Sequence, residues 1–114
     1  MISPRTRLVL DLIEMRRPVQ DVLRELRAYP WDSEALVAIT RDHVASTLKK
    51  YLSGELSSAD VETWANAIEA RDDVDVEKDD GALVESIVWE LANPTLSALL
   101  SPPRATALLA RLAG

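Results

Sequence analysis

The chain has 114 residues, a length typical of one domain, and its 47% hydrophobic and 28% charged residues are typical of a globular protein rather than a disordered one. It has no cysteine, which excludes disulfides and thiol catalysis and is compatible with a reducing compartment. No apolar run approaches the roughly 20 residues of a membrane span, and the N-terminus lacks the features of a secretion signal. We therefore expect a cytoplasmic protein.

The formal charge of -6 is concentrated in one part of the chain. Residues 55–90 hold twelve acids but only two bases, Arg71 and Lys78. An acidic field of this kind repels nucleic acids and membrane surfaces and attracts basic proteins or cations. The charge distribution therefore argues against a nucleic-acid or membrane partner.

The first half of the chain predicts three helices. Ser3-Pro4 is a typical helix start, and Pro18 ends that helix and permits a second one up to Pro30. A long third helix is predicted from Asp32 or Ser33 to about Ser53, followed by a glycine stop.

The segment that follows contains the clearest local signal, a helix cap. Ser57 can accept a hydrogen bond from the backbone of Asp60, whose carboxylate suits the first turn of a helix. The helix that begins here places Trp64 on its apolar face and Glu62 and Glu69 on the opposite face.

The C-terminal part predicts a strongly apolar helix and a final one. Residues 83–91 are apolar most of the way around, which is typical of a central helix, and Pro94 ends it. Pro102 then opens the last helix. The sequence thus predicts a single all-α bundle of five or six helices, residues 1–114, with Trp64 and Trp89 in the core and Trp31 in a connection.

The stretch ARDDVDVEKDD, residues 70–80, requires an explanation because six acids fall within nine consecutive positions, 72–80. Asp79 and Asp80 precede a predicted helix, where the helix dipole favours acids. Asp72 and Asp73 follow the Trp64 helix, where the dipole disfavours them. We find no basic partner for these acids close in sequence.

Metal-binding and catalytic motifs fit the chain poorly. An EF-hand loop that begins at Asp73 places Lys78 at the obligatory glycine position, and one that begins at Asp75 places Asp80 there. The single histidine, His43, is expected to lie at the edge of the core and make one hydrogen bond. No glycine-rich phosphate loop or nucleophile motif is present, so we expect neither an enzyme nor a cofactor.

Two interpretations of the acidic stretch stay open at this point. It is a solvated loop that increases solubility, or it is a docking surface for a basic partner protein. Acids that cluster against the preference of the helix dipole are a local inconsistency of the kind that function explains.

The run YLSGELSSADVETWANAIEARDDVDVE, residues 51–77, resembles a pattern in the self-protective, colicin-like immunity family of small bacterial helical proteins. In that family a helix ends in an (F/Y)LSG turn, and a serine cap begins an acidic helix with an aromatic residue. The matching residues here are Tyr51, Leu52, Ser53, Gly54, Leu56, Ser57, Asp60 and Trp64. The resemblance implies a bundle that blocks a basic nuclease toxin of the same cell.

The sequence therefore favours a non-enzymatic, acidic helical binding protein. We expect six acids to contact the basic partner: Glu62, Glu69, Asp72, Asp73, Asp75 and Glu77. Two alternatives remain, an adaptor module that forms homo-oligomers through an apolar helix face and a protein that binds a metal through oxygen ligands.

Overall fold

Six helices and two short strands make up the part of the chain that the computed structural model describes, residues 3–29, 35–71, 73–79 and 81–113. In chain order they are α1 (Pro4–Glu14), α2 (Val19–Leu26), β1 (Val37–Ile39), α3 (Arg41–Leu52), α4 (Ser58–Glu69), β2 (Val74–Val76), α5 (Gly81–Ala92) and α6 (Pro102–Ala113). The predicted helical bundle is confirmed.

The helix ends follow the capping chemistry that the sequence indicated. The Ser3 side chain accepts from the Thr6 backbone at the start of α1, and Ser57 and Asp60 form a reciprocal capping box at the start of α4. Beyond α3, Gly54 has φ 88°, a left-handed conformation that glycine adopts without steric cost.

The predicted long third helix was wrong in its first part. Helix α3 begins only at Arg41, and residues 37–39 form strand β1 instead. The two positions predicted as its start, Asp32 and Ser33, lie outside the described residues, as does Trp31.

Strand β1 pairs in parallel with β2, with Val37 opposite Val74 and Ile39 opposite Val76. The pairing extends beyond the strands, because the Glu77 backbone N–H donates to the Ile39 carbonyl at 3.1 Å. Three-residue strands are too short to show an alternating pattern, so periodicity alone could not reveal them. This two-stranded sheet is the only one among the described residues.

Helix α4 is tied to α1 by the most deeply buried aromatic side chain. Trp64 is fully buried, and its indole Nε1–H donates to the Leu12 carbonyl at 2.8 Å. The apolar core around it draws on every helix and includes Leu12, Ile13, Val22, Leu48, Val61, Val84, Ile87 and Leu108. The predicted core position of Trp64 is confirmed.

The prediction that Trp89 lies in the core was wrong, because this residue is 44% exposed. Helix α5 buries Val84, Ile87, Val88 and Leu91, whereas Trp89 follows Glu85 by one turn on the exposed side. Apolar composition predicted burial, but the helical position of Trp89 places it with the polar residues. No helix in the described ranges is long and apolar enough to cross a membrane.

We expect the two tryptophans to differ sharply in their effect on stability. Trp64→Ala should lower the free energy of unfolding by about 3–5 kcal/mol, because it leaves a core cavity. Trp89→Ala should lower it by about 1 kcal/mol or less, as for other surface changes. Urea unfolding of both variants measures this, and equal losses would contradict the assigned packing.

Candidate functional site

The structure divides the six acids predicted to contact a partner into those that stabilise the fold and those that are exposed. Asp73 is buried and Glu77 is partly buried, whereas Glu62, Glu69 and Asp75 are exposed. Asp72 lies outside the described residues.

Asp73 is held by two arginines from different parts of the chain. Its carboxylate accepts from Arg71 Nε and Nη2, both at 2.8 Å, and from Arg5 Nε of α1 at 3.2 Å. Its side chain is only 1% exposed, and both arginine side chains are 14% exposed. The expectation that this acid has no basic partner close in sequence was wrong, because Arg71 is two residues away.

The backbone of Asp73 also makes hydrogen bonds at the edge of the two-stranded sheet. Its carbonyl accepts from the N–H groups of Leu36 at 2.8 Å and Val37 at 3.3 Å. One residue thus joins α1, the entry to β1 and the loop after α4. As a fully buried group it is not presented to a partner protein, which corrects its assignment to a docking surface.

Glu77 stabilises the start of α3 rather than projecting freely into solvent. Its Oε2 accepts from the Arg41 backbone N–H at 3.3 Å, and its Oε1 lies 4.0 Å from Arg41 Nε. A carboxylate at a helix N-terminus satisfies a backbone donor and interacts favourably with the helix dipole. Part of the acidic stretch therefore has a structural explanation.

Two of the exposed acids, Glu62 and Glu69, are on α4, where the sequence placed them, and Glu69 lies near another acid, Glu85 of α5. Partial burial and the nearby Glu85 carboxylate raise the pKa of Glu69. Glu62 lies toward the other end of α4, where it lines a groove with Leu91 and Leu99. We call the surface formed by Glu62, Glu69, Glu85 and Trp89 the α4–α5 face.

This face carries only negative charge from its own helices. Neither α4 nor α5 contains a lysine or an arginine. Glu62, Glu69 and Glu85 form no ion pair with another described residue, in contrast to Glu90 on the other side of α5, which pairs with Arg104 and Arg111. Glu85 and Trp89 were not predicted as site residues from the sequence, although their i, i+4 spacing places them on one side of the helix.

His43 has a structural role at the start of α3. The Thr40 backbone N–H donates to His43 Nδ1 at 3.0 Å, and the Thr40 side chain accepts from the His43 backbone, which completes a capping box. Burial lowers the pKa of His43, opposed in part by the charges of Glu14, Asp42 and Glu77. An Nδ1 that accepts a hydrogen bond requires the neutral imidazole.

Within the described ranges, no group of three or more histidine, aspartate or glutamate side chains is arranged to hold a metal ion.

No family model matches the chain, and neither a search of curated proteins nor a search of solved structures finds a match. The function therefore has to be argued from the residues themselves.

Removing the Asp73 carboxylate should be strongly destabilising. Asp73→Asn should lower the free energy of unfolding by about 3–5 kcal/mol, because it breaks a buried ion-paired cluster. Asp75→Asn, the same chemical change at an exposed position two residues away, should alter it by no more than about 0.5 kcal/mol. Chemical denaturation compares the two, and indifference to Asp73→Asn would refute the proposed role of the cluster.

The cluster that Asp73 forms with Arg5 and Arg71 should also make the stability of the protein depend on pH in the acidic range. Burial alone would raise the pKa of Asp73, but the hydrogen bonds and charges of Arg71 and Arg5 outweigh it and lower the pKa. The stabilisation is present above about pH 3.9, the pKa of an aspartate in an unfolded chain. It is lost as the pH falls through the lower pKa that Asp73 has in the folded protein. Denaturation midpoints between about pH 5 and 2 should show a weaker pH dependence in Asp73→Asn than in the wild type.

The His43 cap should make stability depend on pH in a higher range. Because the folded-state pKa is lowered, the unfolded chain binds the proton more readily, and stability should fall as the pH drops below about 6.5. His43→Gln retains a side-chain acceptor at the third helical position and cannot titrate. Urea midpoints from pH 7.5 to 5.5 should show a smaller slope in this variant, and an unchanged slope would exclude His43 as its source.

Proposed function

We propose that the chain is a non-enzymatic binding protein that engages a basic partner protein through the exposed acids of the α4–α5 face. The observation that carries this proposal is the set of three carboxylates, Glu62, Glu69 and Glu85, on two helices that have no basic residue. A basic partner would supply the missing counter-charges and would be steered toward this surface.

The position of Glu69 supports a binding role over simple solubility. It is the last residue of α4, where the helix dipole disfavours a carboxylate, and Glu85 adds like-charge repulsion. A residue that lowers the stability of its own fold is readily explained when binding a cation removes the penalty. Solubility alone would be served by acids at less costly positions.

The resemblance of residues 51–77 to colicin-like immunity proteins suggests what the partner is. Under this proposal it is a basic nuclease toxin domain of the same cell, and the acidic surface occupies the cleft that binds phosphates. Asp75 is exposed on β2 and is a further candidate contact, whereas Asp73 and Glu77 stabilise the fold.

The test is binding and protection with a basic nuclease domain encoded beside this gene. Co-expression should rescue growth, and the complex should weaken as salt rises. Glu62→Gln/Glu69→Gln should slow association by about tenfold or more with stability nearly unchanged. A control with the same charge change at exposed positions outside the face is Asp42→Asn/Glu55→Gln.

The control should leave association within about twofold of the wild type, because long-range charge contributes less than charge at the contact. Absence of both protection and binding would overturn the toxin assignment. Equal slowing by the two double variants would show that net charge, not the α4–α5 face, governs association.

A further inference from the structure

Three large apolar side chains are exposed within a short part of the chain, one on the α4–α5 face and two in the segment that follows α5. Trp89 is 44% exposed, Leu96 is 72% exposed and Leu99 is 75% exposed. Single exposed apolar residues are ordinary, but a group of this size beside uncompensated charge is typical of an interaction surface. The two other exposed large apolar residues of the described chain are elsewhere, since Leu36 precedes β1 and Leu52 ends α3.

Leu96 lies in a turn that is held by hydrogen bonds. The Ser97 hydroxyl donates to the Glu90 carbonyl at 2.9 Å, and the Leu96 and Ser97 N–H groups both donate to the Asn93 carbonyl at 3.0 Å. The Asn93 side chain in turn donates to the Trp89 carbonyl at 2.9 Å. The turn after α5 is therefore preorganised, which reduces the entropy that a partner must overcome on binding.

Trp89 and Leu99 each lie beside an acid of the α4–α5 face. Glu69 lies near Glu85 at the start of α5, whereas Glu62 lies near Leu91 at its end, so α4 and α5 run antiparallel. Trp89, one turn after Glu85, falls between the two ends. Leu99 lines the same groove as Glu62 and continues the surface beyond α5.

We propose that this surface binds a basic, amphipathic helical segment of the partner protein, with Trp89 as the apolar anchor and Leu96 and Leu99 extending the contact. The lysines and arginines of the segment would meet Glu62, Glu69 and Glu85. Aromatic anchors surrounded by polar residues are the usual arrangement of strong binding surfaces.

Charge decides between this occupant and a second copy of the chain. A two-fold dimer would bring the same surface together from both subunits and place acids near acids. A basic segment replaces that repulsion with attraction. This inference rests on the proposed basic partner, and it adds that the partner contributes apolar side chains as well as charge.

The test uses fluorescein-labelled synthetic peptides and the full-length protein, followed by fluorescence anisotropy. One peptide is a 14-residue leucine–lysine amphipathic helix. The second keeps its lysines but replaces every leucine with glycine or serine. Wild-type protein should bind the first at least tenfold more tightly than the second, and added salt should weaken both complexes.

Variants locate the apolar contribution. Trp89→Ala and Leu96→Ala/Leu99→Ala should each weaken binding of the amphipathic peptide at least tenfold and leave binding of the leucine-free peptide unchanged. Leu52→Ala, an exposed leucine on α3, serves as the matched control and should have no effect. Circular dichroism confirms that each variant is folded.

The outcomes separate this inference from the proposed function. Equal binding of both peptides, with Trp89→Ala indifferent, would overturn the apolar anchor and leave the acidic docking surface supported. Failure of both peptides to bind would also overturn the inference, while the growth-protection experiment decides the toxin assignment independently. A concentration-dependent mass that Trp89→Ala abolishes would assign the surface to self-association instead.

Discussion

The cluster of Arg5, Asp73 and Arg71 is the interaction on which the arrangement of the chain depends. The Asp73 carboxylate joins the first helix to the segment after α4, and its carbonyl receives the backbone that enters β1. A buried carboxylate requires such partners, because an unpaired charge in the interior is very costly. The cluster therefore fixes where β2 begins.

The acidic stretch that stood out in the sequence thus combines several roles. Asp73 is enclosed by arginines, Glu77 satisfies the first turn of α3, and Asp75 projects from the outer side of β2. The acids that we propose to contact a partner lie on α4 and α5, where Glu62, Glu69 and Glu85 are exposed. Charge density along the chain is consequently a poor guide to charge density on the surface, because folding neutralises some acids and gathers others.

The α4–α5 face combines two features that neither helix shows alone. Both helices carry exposed carboxylates and no basic residue, and a tryptophan one turn from Glu85 is exposed on α5. A solvated surface would account for the acids but not for an indole and two leucines on an ordered segment. A binding surface accounts for both, since apolar contacts provide affinity and charges provide orientation and speed.

Sequence by itself determined the helical architecture, the caps at Ser3 and Ser57, the stop at Gly54 and the burial of Trp64, because these follow from local hydrogen bonding and helical periodicity. It could not determine the two strands, the burial of Asp73 or whether the side of α5 that Trp89 shares with Glu85 faces solvent. Strands of three residues show no usable period, and the Arg5–Asp73 pair joins positions 68 residues apart. Which side of an almost wholly apolar helix faces solvent is decided by the neighbours that pack against it, and only the tertiary structure supplies them.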